Sequence, residues 1–162
     1  MTGAAAEARG LEVLLRPGLA SDVPELERFL STFASDGTLL PRSREDLMRH
    51  VGGFIVATRY GRLVACGALH PTATGLGEIR TLAVDSRWRG AGIGGSLAEA
   101  LLHEARRRGI RRVFCLTRRV AFFERHGFKV AARERFPQKI WNDCRLCPRL
   151  SRCDETAMER AL

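Results

Sequence analysis

The chain has 162 residues, 45% hydrophobic and 28% charged, with a formal net charge of +9. That is enough chain for one domain with a real core, and no apolar run is long enough to cross a membrane. The cations are all arginine except Lys129 and Lys139; they suit anionic ligands, and without interleaved aromatic residues they argue against a nucleic-acid surface.

Residues 1–10 hold no apolar segment of signal-peptide type and read as a flexible N-terminus, so a cytoplasmic protein is expected. Leu11 to Arg16 reads as a first strand, closed by Pro17-Gly18. Ser21 and Asp22 offer an N-cap, Asp22 with Glu25 forms a capping-box-like pair, and Pro24 sits in the tolerant first turn. Val23, Leu26, Leu30 and Phe33 then recur at helical spacing, predicting a helix over 22–34. Ser43 with Asp46 predicts a second helix over 44–51, broken by Gly52-Gly53. Phe54 to Thr58 and Leu63 to Leu69 read as a hairpin around Tyr60-Gly61-Arg62, Pro71 to Gly77 as a turn, and Glu78 to Val84 as a further strand.

Gly92 to Arg108 carries the clearest helical stripe, Ile93, Leu97, Leu101 and Ala105, with Leu102 beside it. Arg111 to Thr117 reads as a strand, and its Val113-Phe114-Cys115-Leu116 is apolar enough to be buried on both faces. Val120 to His126 reads as a short helix, Phe128-Lys129-Val130 begins the last strand, and Asp154 caps a final short helix over 155–162. The order is β-α-α-β-β-β-α-β-α-β, a mixed α/β (α+β) sheet with an antiparallel meander first and a βαβ crossover later.

The stretch from Leu82 to Gly95 organises the rest. An apolar strand, Leu82-Ala83-Val84, runs into a basic glycine-rich turn and then a helix. Backbone N–H groups of such a turn cradle anions, the helix start adds positive potential, and Arg87 and Arg89 add formal charge, so the turn suits a phosphate or pyrophosphate. Gly90, Gly92 and Gly95 match the dinucleotide pattern G-x-G-x-x-G, but five residues separate them from the strand, and the next strand ends in Arg118-Arg119 rather than an acidic residue. An ordinary glycine-rich loop is the plain alternative.

Arg87-x-x-Gly90-x-Gly92 after Leu82-Ala83-Val84 resembles the acetyl-CoA signature of the GNAT N-acetyltransferases, and the element order from Leu11 to Phe136 resembles their fold. Phe122-Phe123 ahead of Gly127-Phe128 is similar to the family's later aromatic helix and Gly-Phe turn. More narrowly, Gly37-x-Leu39-Leu40-x-Arg42-Ser43-Arg44-Glu45-x-Leu47, together with Ala65 to Leu69 and Gly77-Glu78-Ile79, resembles the short stand-alone acetyltransferase-domain type of N-acetylglutamate synthase. The resemblance implies one GNAT domain over 11–136 and a Cys-rich tail over 137–162 packed on it. It implies an acetyl-CoA-dependent transferase acting on the α-amine of L-glutamate, the first step of arginine biosynthesis, without the regulation that longer synthases draw from a kinase domain. Another small amine, an amino acid or a protein N-terminus is the alternative acceptor, and a non-catalytic acyl-CoA sensor the alternative class. A homodimer is compatible with it.

The resemblance assigns the cofactor to Leu82, Ala83, Val84, Arg87, Arg89, Gly90, Ala91, Gly92, Ile93, Gly94, Gly95 and Phe123, and the catalytic base to Glu78. Glu78 has a structural reading too, as a partner of Arg80 two residues on along the same strand face. The chain has a single tyrosine, Tyr60, at a hairpin tip, so the tyrosine general acid of many relatives is missing. His126 reads as a helix-end group. A dicarboxylate acceptor calls for bidentate arginine: Arg42 first, Arg80 second, then Arg118 and Arg119. Finally Cys144, Cys147 and Cys153 form C-x2-C-x5-C, a weak metal candidate that lacks a fourth ligand, while Cys66 and Cys115 read as core residues.

Overall fold

The computed structural model describes residues 5–8 and 11–162. Eight strands, β1 (Ala5–Ala8), β2 (Leu11–Pro17), β3 (Phe54–Arg59), β4 (Arg62–Ala73), β5 (Leu76–Val84), β6 (Arg112–Thr117), β7 (Lys129–Val130) and β8 (Thr156–Ala161), form one mixed sheet. Five helices accompany them: α1 (Val23–Ser35), α2 (Arg44–His50), α3 (Ile93–Arg107), α4 (Val120–Arg125) and α5 (Pro137–Asn142). The chain divides into two compact units, residues 1–69 with 81–101, and residues 70–80 with 102–162.

In the first unit the strand order is β1-β2-β3-β4 and then the end of β5. β1, β2, β3 and β4 pair antiparallel, with a register shift at Ala57/Thr58. The sheet's two faces are read off β5: Ala83 packs with the α1 cluster of Val23, Leu26, Leu30, Phe33, Leu47 and Phe54, while Leu82 and Val84 pack with Ile93 and Leu97 of α3. This alternation is what period-two side-chain geometry dictates. Gly67 of β4 sits directly under α3: an added Cβ would come within 2.8 Å of Leu101 and 2.9 Å of Leu82.

In the second unit the end of β4 and the start of β5 lead to β6, β8 and β7. β5 and β6 are parallel over Leu76↔Arg112, Gly77↔Val113 and Glu78↔Phe114. β8 pairs antiparallel with β6 along six residues and with β7 on its other side. Leu76, Phe114, Phe136 and Ala157 form the local core.

Four expectations change. Ala5–Ala8 is a strand in register with Leu11 to Leu14, not a flexible end; residues 1–4 and 9–10 lie outside the described residues. Asp22 does not cap α1 through its side chain. Its carboxylate takes the Leu19 N–H at 2.8 Å and the Arg16 fork at 2.7 Å, which closes the turn before the helix instead. β4 runs on through Pro71 to Ala73, so the turn shrinks to Thr74-Gly75. Residues 156–161 are strand rather than helix: Ala157 and Met158 are buried and the segment completes the ladder of β6. Asp154 correspondingly pairs with Arg118 at 2.6 Å instead of capping a helix.

Candidate active site

The glycine-rich turn lies in the first unit. After β5, the Asp85 carboxylate accepts from the Arg87 N–H at 2.9 Å and caps the 3-10 turn Ser86–Trp88. The Asp85 N–H donates to the Val64 carbonyl at 2.9 Å, fixing the turn to β4. The Arg87 guanidinium folds onto the same carboxylate at 2.7 Å, and that hydrogen bond holds Asp85 below the usual carboxylate range. Arg89 Nε donates to the Val84 carbonyl at 3.3 Å. Gly90 and Gly92 have φ of 81° and 86°, a conformation that strains any L side chain. A Cβ on Gly90 would meet nothing within 4 Å, so backbone conformation demands the glycine and the space above it is open.

The Ser96 N–H bonds to the Gly92 carbonyl at 3.1 Å, so the N–H groups of Ile93, Gly94 and Gly95 are those a helix leaves unpaired at its start. Ile93 is buried, so it offers its N–H and not its side chain. An open turn, a helix start and two arginines fit a pyrophosphate.

Arg42 and Thr81 meet in the same unit. The Arg42 side chain is 12% exposed and forms an ion pair with Asp46 at 2.6 Å. Its Nη1 donates to Thr81 Oγ1 at 3.1 Å. Thr81 has φ 58°, a left-handed conformation in mid-strand that is rare for a β-branched residue. The Thr81 carbonyl also accepts from the Cys66 thiol at 3.7 Å. Burial pushes that thiol up to about 12, against a smaller opposing pull from Arg42, so Cys66 is an inert core thiol, as expected.

Glu78 lies in the second unit and is 2% exposed. Its Oε1 is 2.7 Å from Lys139 Nζ. Lys139 also pairs with Asp143 at 3.0 Å, and Asp143 lies 3.7 Å from Arg80. Beside the expected neighbour Arg80, Glu78 thus has Lys139 in direct contact, and Arg80 faces Asp143. Burial works against the Lys139 ammonium, but attraction to Glu78 and Asp143 outweighs it and leaves this lysine above its ordinary range. Phe114, opposite Glu78 in the ladder, stacks on Phe136 with ring centroids 4.1 Å apart. Phe136 immediately precedes α5, so this stack carries Lys139, three residues on, to the carboxylate.

Arg118 is engaged by Asp154 at 2.6 Å, and the Arg119 N–H donates to Thr117 Oγ1 at 2.8 Å. Phe123 is buried edge-on against Phe122 and Phe128, so its ring is a packing element of α4. The His126 ring lies 4.8 Å from Phe122. Tyr60 is 83% exposed at the hairpin tip. Cys144 is buried, Cys147 and Cys153 are half-buried, and Arg133 donates to Cys153 Sγ at 3.4 Å. Among the described residues no group of three His, Cys, Asp or Glu side chains is placed to hold a metal ion, and no helix is long and apolar enough to cross a membrane.

Sequence reasoning missed Lys139, Asp143 and Thr81. The one available signal was compositional: a lysine in a chain whose other cations are almost all arginine.

Comparison with known proteins gives the family. Residues 22–128 match the model of the acetyltransferase (GNAT) family, a span that runs through both units. An uncharacterized N-acetyltransferase of Chlorobaculum tepidum is 39% identical over 154 residues, 93% of this chain and 97% of that protein. An amino-acid acetyltransferase of Mycobacterium tuberculosis is 42% identical over 123 residues, 74% of this chain and 70% of that protein. Among solved structures, N-acetylglutamate synthase of Neisseria gonorrhoeae, complexed with coenzyme A and N-acetyl-glutamate, superposes with a TM-score of 0.81 at 30% identity. That match covers 93% of this chain but 35% of the synthase, so the chain spans about a third of that protein's length. With its mixed sheet, its glycine-rich turn and a family match over most of its length, the chain belongs to the GNAT family of acetyltransferases.

Proposed function

We propose that the protein transfers the acetyl group of acetyl-CoA to the α-amine of L-glutamate, with Glu78 as the base. The protein is an acyltransferase and acetyl-CoA is its cosubstrate; the acceptor, the residue roles, the place at the start of arginine synthesis and the cytoplasmic location are our reading. The observation that carries it is the buried carboxylate of Glu78 on the strand that feeds the phosphate-binding turn. The relatives named for amino-acid acetyl transfer and N-acetylglutamate synthesis support the acceptor class.

Acetyl-CoA supplies the acetyl group as a thioester. The N–H groups of Gly90 to Gly95, with Arg87 and Arg89, hold its pyrophosphate, and the backbone of Leu82 to Val84 offers strand-edge hydrogen bonds to its amide arm. An α-amine is mostly protonated near neutrality and must lose a proton before it attacks. Glu78 accepts that proton, directly or through a water. The C–N bond forms, the C–S bond breaks, and the thiolate leaves without a tyrosine acid, since the only tyrosine is remote in sequence at an exposed tip. Arg42 receives a carboxylate of the acceptor by exchanging its Asp46 partner for it, charge for charge; Arg80 is the second such group.

The test is steady-state release of CoA across a panel of free amino acids, peptides and polyamines. Turnover selective for L-glutamate, with Arg42→Ala raising KM for the amino acid at least tenfold, is the expected result. Glu78→Gln lowers kcat by 100-fold or so while acetyl-CoA still binds, within the range of a lost general base. Selective turnover of another amine would replace the acceptor. Acetyl-CoA binding without turnover on any amine would make the protein a sensor.

A further inference from the structure

The tail motif Cys144-x-x-Cys147, with Cys153 beyond it, is a set of nucleophilic side chains that acetyl transfer leaves unused. We propose that Cys144 and Cys147 form a dithiol redox site, which exchanges with small-molecule disulfides and closes to an internal disulfide across a single turn.

A C-x2-C pair serves either a metal or thiol chemistry. Among the described residues no third His, Cys, Asp or Glu side chain joins the pair in a group placed to hold a metal ion. What the fold does provide is the spacing of a disulfide. Cys144–Leu146 is a 3-10 turn, and the Cys147 N–H closes it by donating to the Cys144 carbonyl at 3.0 Å. In that geometry residues three apart lie one above the other. A rise of about 2 Å per residue puts the two Cα atoms roughly 6 Å apart, inside the roughly 4.4–6.8 Å that a disulfide spans. Pro148 ends the turn at the second cysteine: the residue before a proline is held extended, and Cys147 has φ −74° and ψ 125°.

The two thiols differ in access. Cys144 is 8% exposed, and burial raises its thiol above the ordinary range. Cys147 is half-buried. Cys147 is therefore the sulfur that an incoming reagent reaches, and Cys144 the one that resolves. Cys153 is the competing partner. It lies past a second 3-10 turn, Leu150–Arg152, and bears electrostatically on Cys144. Its sulfur accepts from Arg133 Nη2 at 3.4 Å, and the same nitrogen donates to the Glu155 carbonyl at 2.6 Å. Closing Cys144 on Cys147 leaves that hydrogen bond to Cys153 intact. Cys66 in β4 and Cys115 in β6 are 0% and 1% exposed, with thiols raised by burial, and serve as silent references.

The exchange balances in two steps. Cys147 Sγ attacks one sulfur of the small disulfide; that S–S bond breaks, a mixed disulfide forms and one thiol leaves. Cys144 Sγ then attacks Cys147 Sγ; the mixed disulfide breaks, the Cys144–Cys147 bond forms and the second thiol leaves. The protein gives up two electrons and two protons, and the reagent takes both as it becomes two thiols.

The experiment is peptide mapping of the full chain, equilibrated in native buffer with glutathione disulfide, then acid-quenched and alkylated in denaturant. Trypsin cuts after Lys139, Arg145, Arg149, Arg152 and Arg160, so the three tail cysteines fall on separate peptides, 140–145, 146–149 and 153–160. The expected result is 140–145 joined to 146–149, with Cys66, Cys115 and Cys153 outside the bond, and release of the pair by dithiothreitol. Peptide 153–160 joined to either of the others, or no joined peptide, overturns the proposal. Two variants test the order of attack. Cys144→Ser stops at a mixed disulfide on Cys147, and Cys147→Ser leaves Cys144 unmodified. Glutathione on Cys144 in the second variant, as fast as on Cys147 in the first, would overturn the assignment of the entry thiol. The wild-type map decides the pairing even if neither variant folds.

Discussion

Thr81 is held at φ 58° in the middle of β5, three residues after Glu78 and one before the strand edge assigned to the cofactor. A β-branched residue in that conformation costs about 1–3 kcal/mol, and its neighbours must impose it. Two do so here: Arg42 bonds its hydroxyl at 3.1 Å, and the Cys66 thiol bonds its carbonyl. This gives an unusual ranking. Thr81→Ala loses the hydroxyl's hydrogen bond, worth about 1 kcal/mol, and keeps the strain. Thr81→Gly loses the same bond but is relaxed at positive φ. We predict that the glycine variant is at least as stable as the alanine one in chemical denaturation, against the usual order in a strand. An alanine variant clearly more stable than the glycine one would show that the left-handed turn is not maintained. Nothing in the residues around 81 announces this kink, because no glycine or asparagine marks it. The glycine-rich turn was readable for the opposite reason: Gly90 and Gly92 stand where positive φ is needed. Glu78 was legible as a strand carboxylate, but its partner was not, because Lys139 lies 61 positions away and only the fold brings it near.

At the scale of elements, local signals sufficed wherever an element carries its own periodicity and its own stops. α1 buries Val23, Leu26, Leu30 and Phe33 as its spacing required, and Ser43 caps α2 by accepting the Asp46 N–H at 3.1 Å. The tail was different. Thr156 to Ala161 has short-range composition suited to a helix, and becomes β8 because β6 offers an unpaired edge beside an apolar layer; that is a tertiary choice overriding propensity. α5 depends on tertiary structure in the same way. Six residues cannot hold a helix alone, so its place rests on Phe136 against Phe114. Phe136→Ala should therefore cost about 3 kcal/mol or more in stability. Thermal melts of the purified variant check this. A variant that melts with the wild type would mean that α5 keeps its place without the aromatic stack. The same logic sets a control on α3. Glu104 is held down to about 2 by Arg107 and Arg108, which the last turn of the helix brings within 2.8 Å and 2.6 Å. Because the folded value lies below the unfolded one, its contribution is present above about pH 4.5 and is lost as pH falls toward 2. Glu104→Gln should cost about 1 kcal/mol at neutral pH and nothing near pH 2.

The whole molecule carries a net charge of +9, and this bears on which partner it attracts. Many of the arginines are neutralised locally: Arg16 by Asp22, Arg44 by Glu27, Arg107 and Arg108 by Glu104, Arg118 by Asp154. Along the sequence the cations do not alternate with aromatic residues, so the net charge is not gathered into a basic and aromatic motif. Such a charge raises the encounter rate with a multiply charged anion and gives little sequence-independent affinity for a polymer. The cosubstrate is such an anion, with its charge concentrated on phosphates, and Arg87 and Arg89 flank the turn assigned to it. We therefore predict that kcat/KM for acetyl-CoA falls about tenfold between roughly 20 mM and 500 mM salt, as the field is screened. The same constant for acetyl-pantetheine, which has the thioester but no phosphate, should be low and nearly independent of salt. Arg87→Ala combined with Arg89→Ala should flatten the salt dependence for acetyl-CoA toward that of the phosphate-free donor. Equal salt slopes for the two donors would place the effect on the acceptor's carboxylates instead. The positive charge would then serve amino-acid recognition at Arg42 and Arg80, and the glycine-rich turn would hold the cosubstrate through its backbone N–H groups alone.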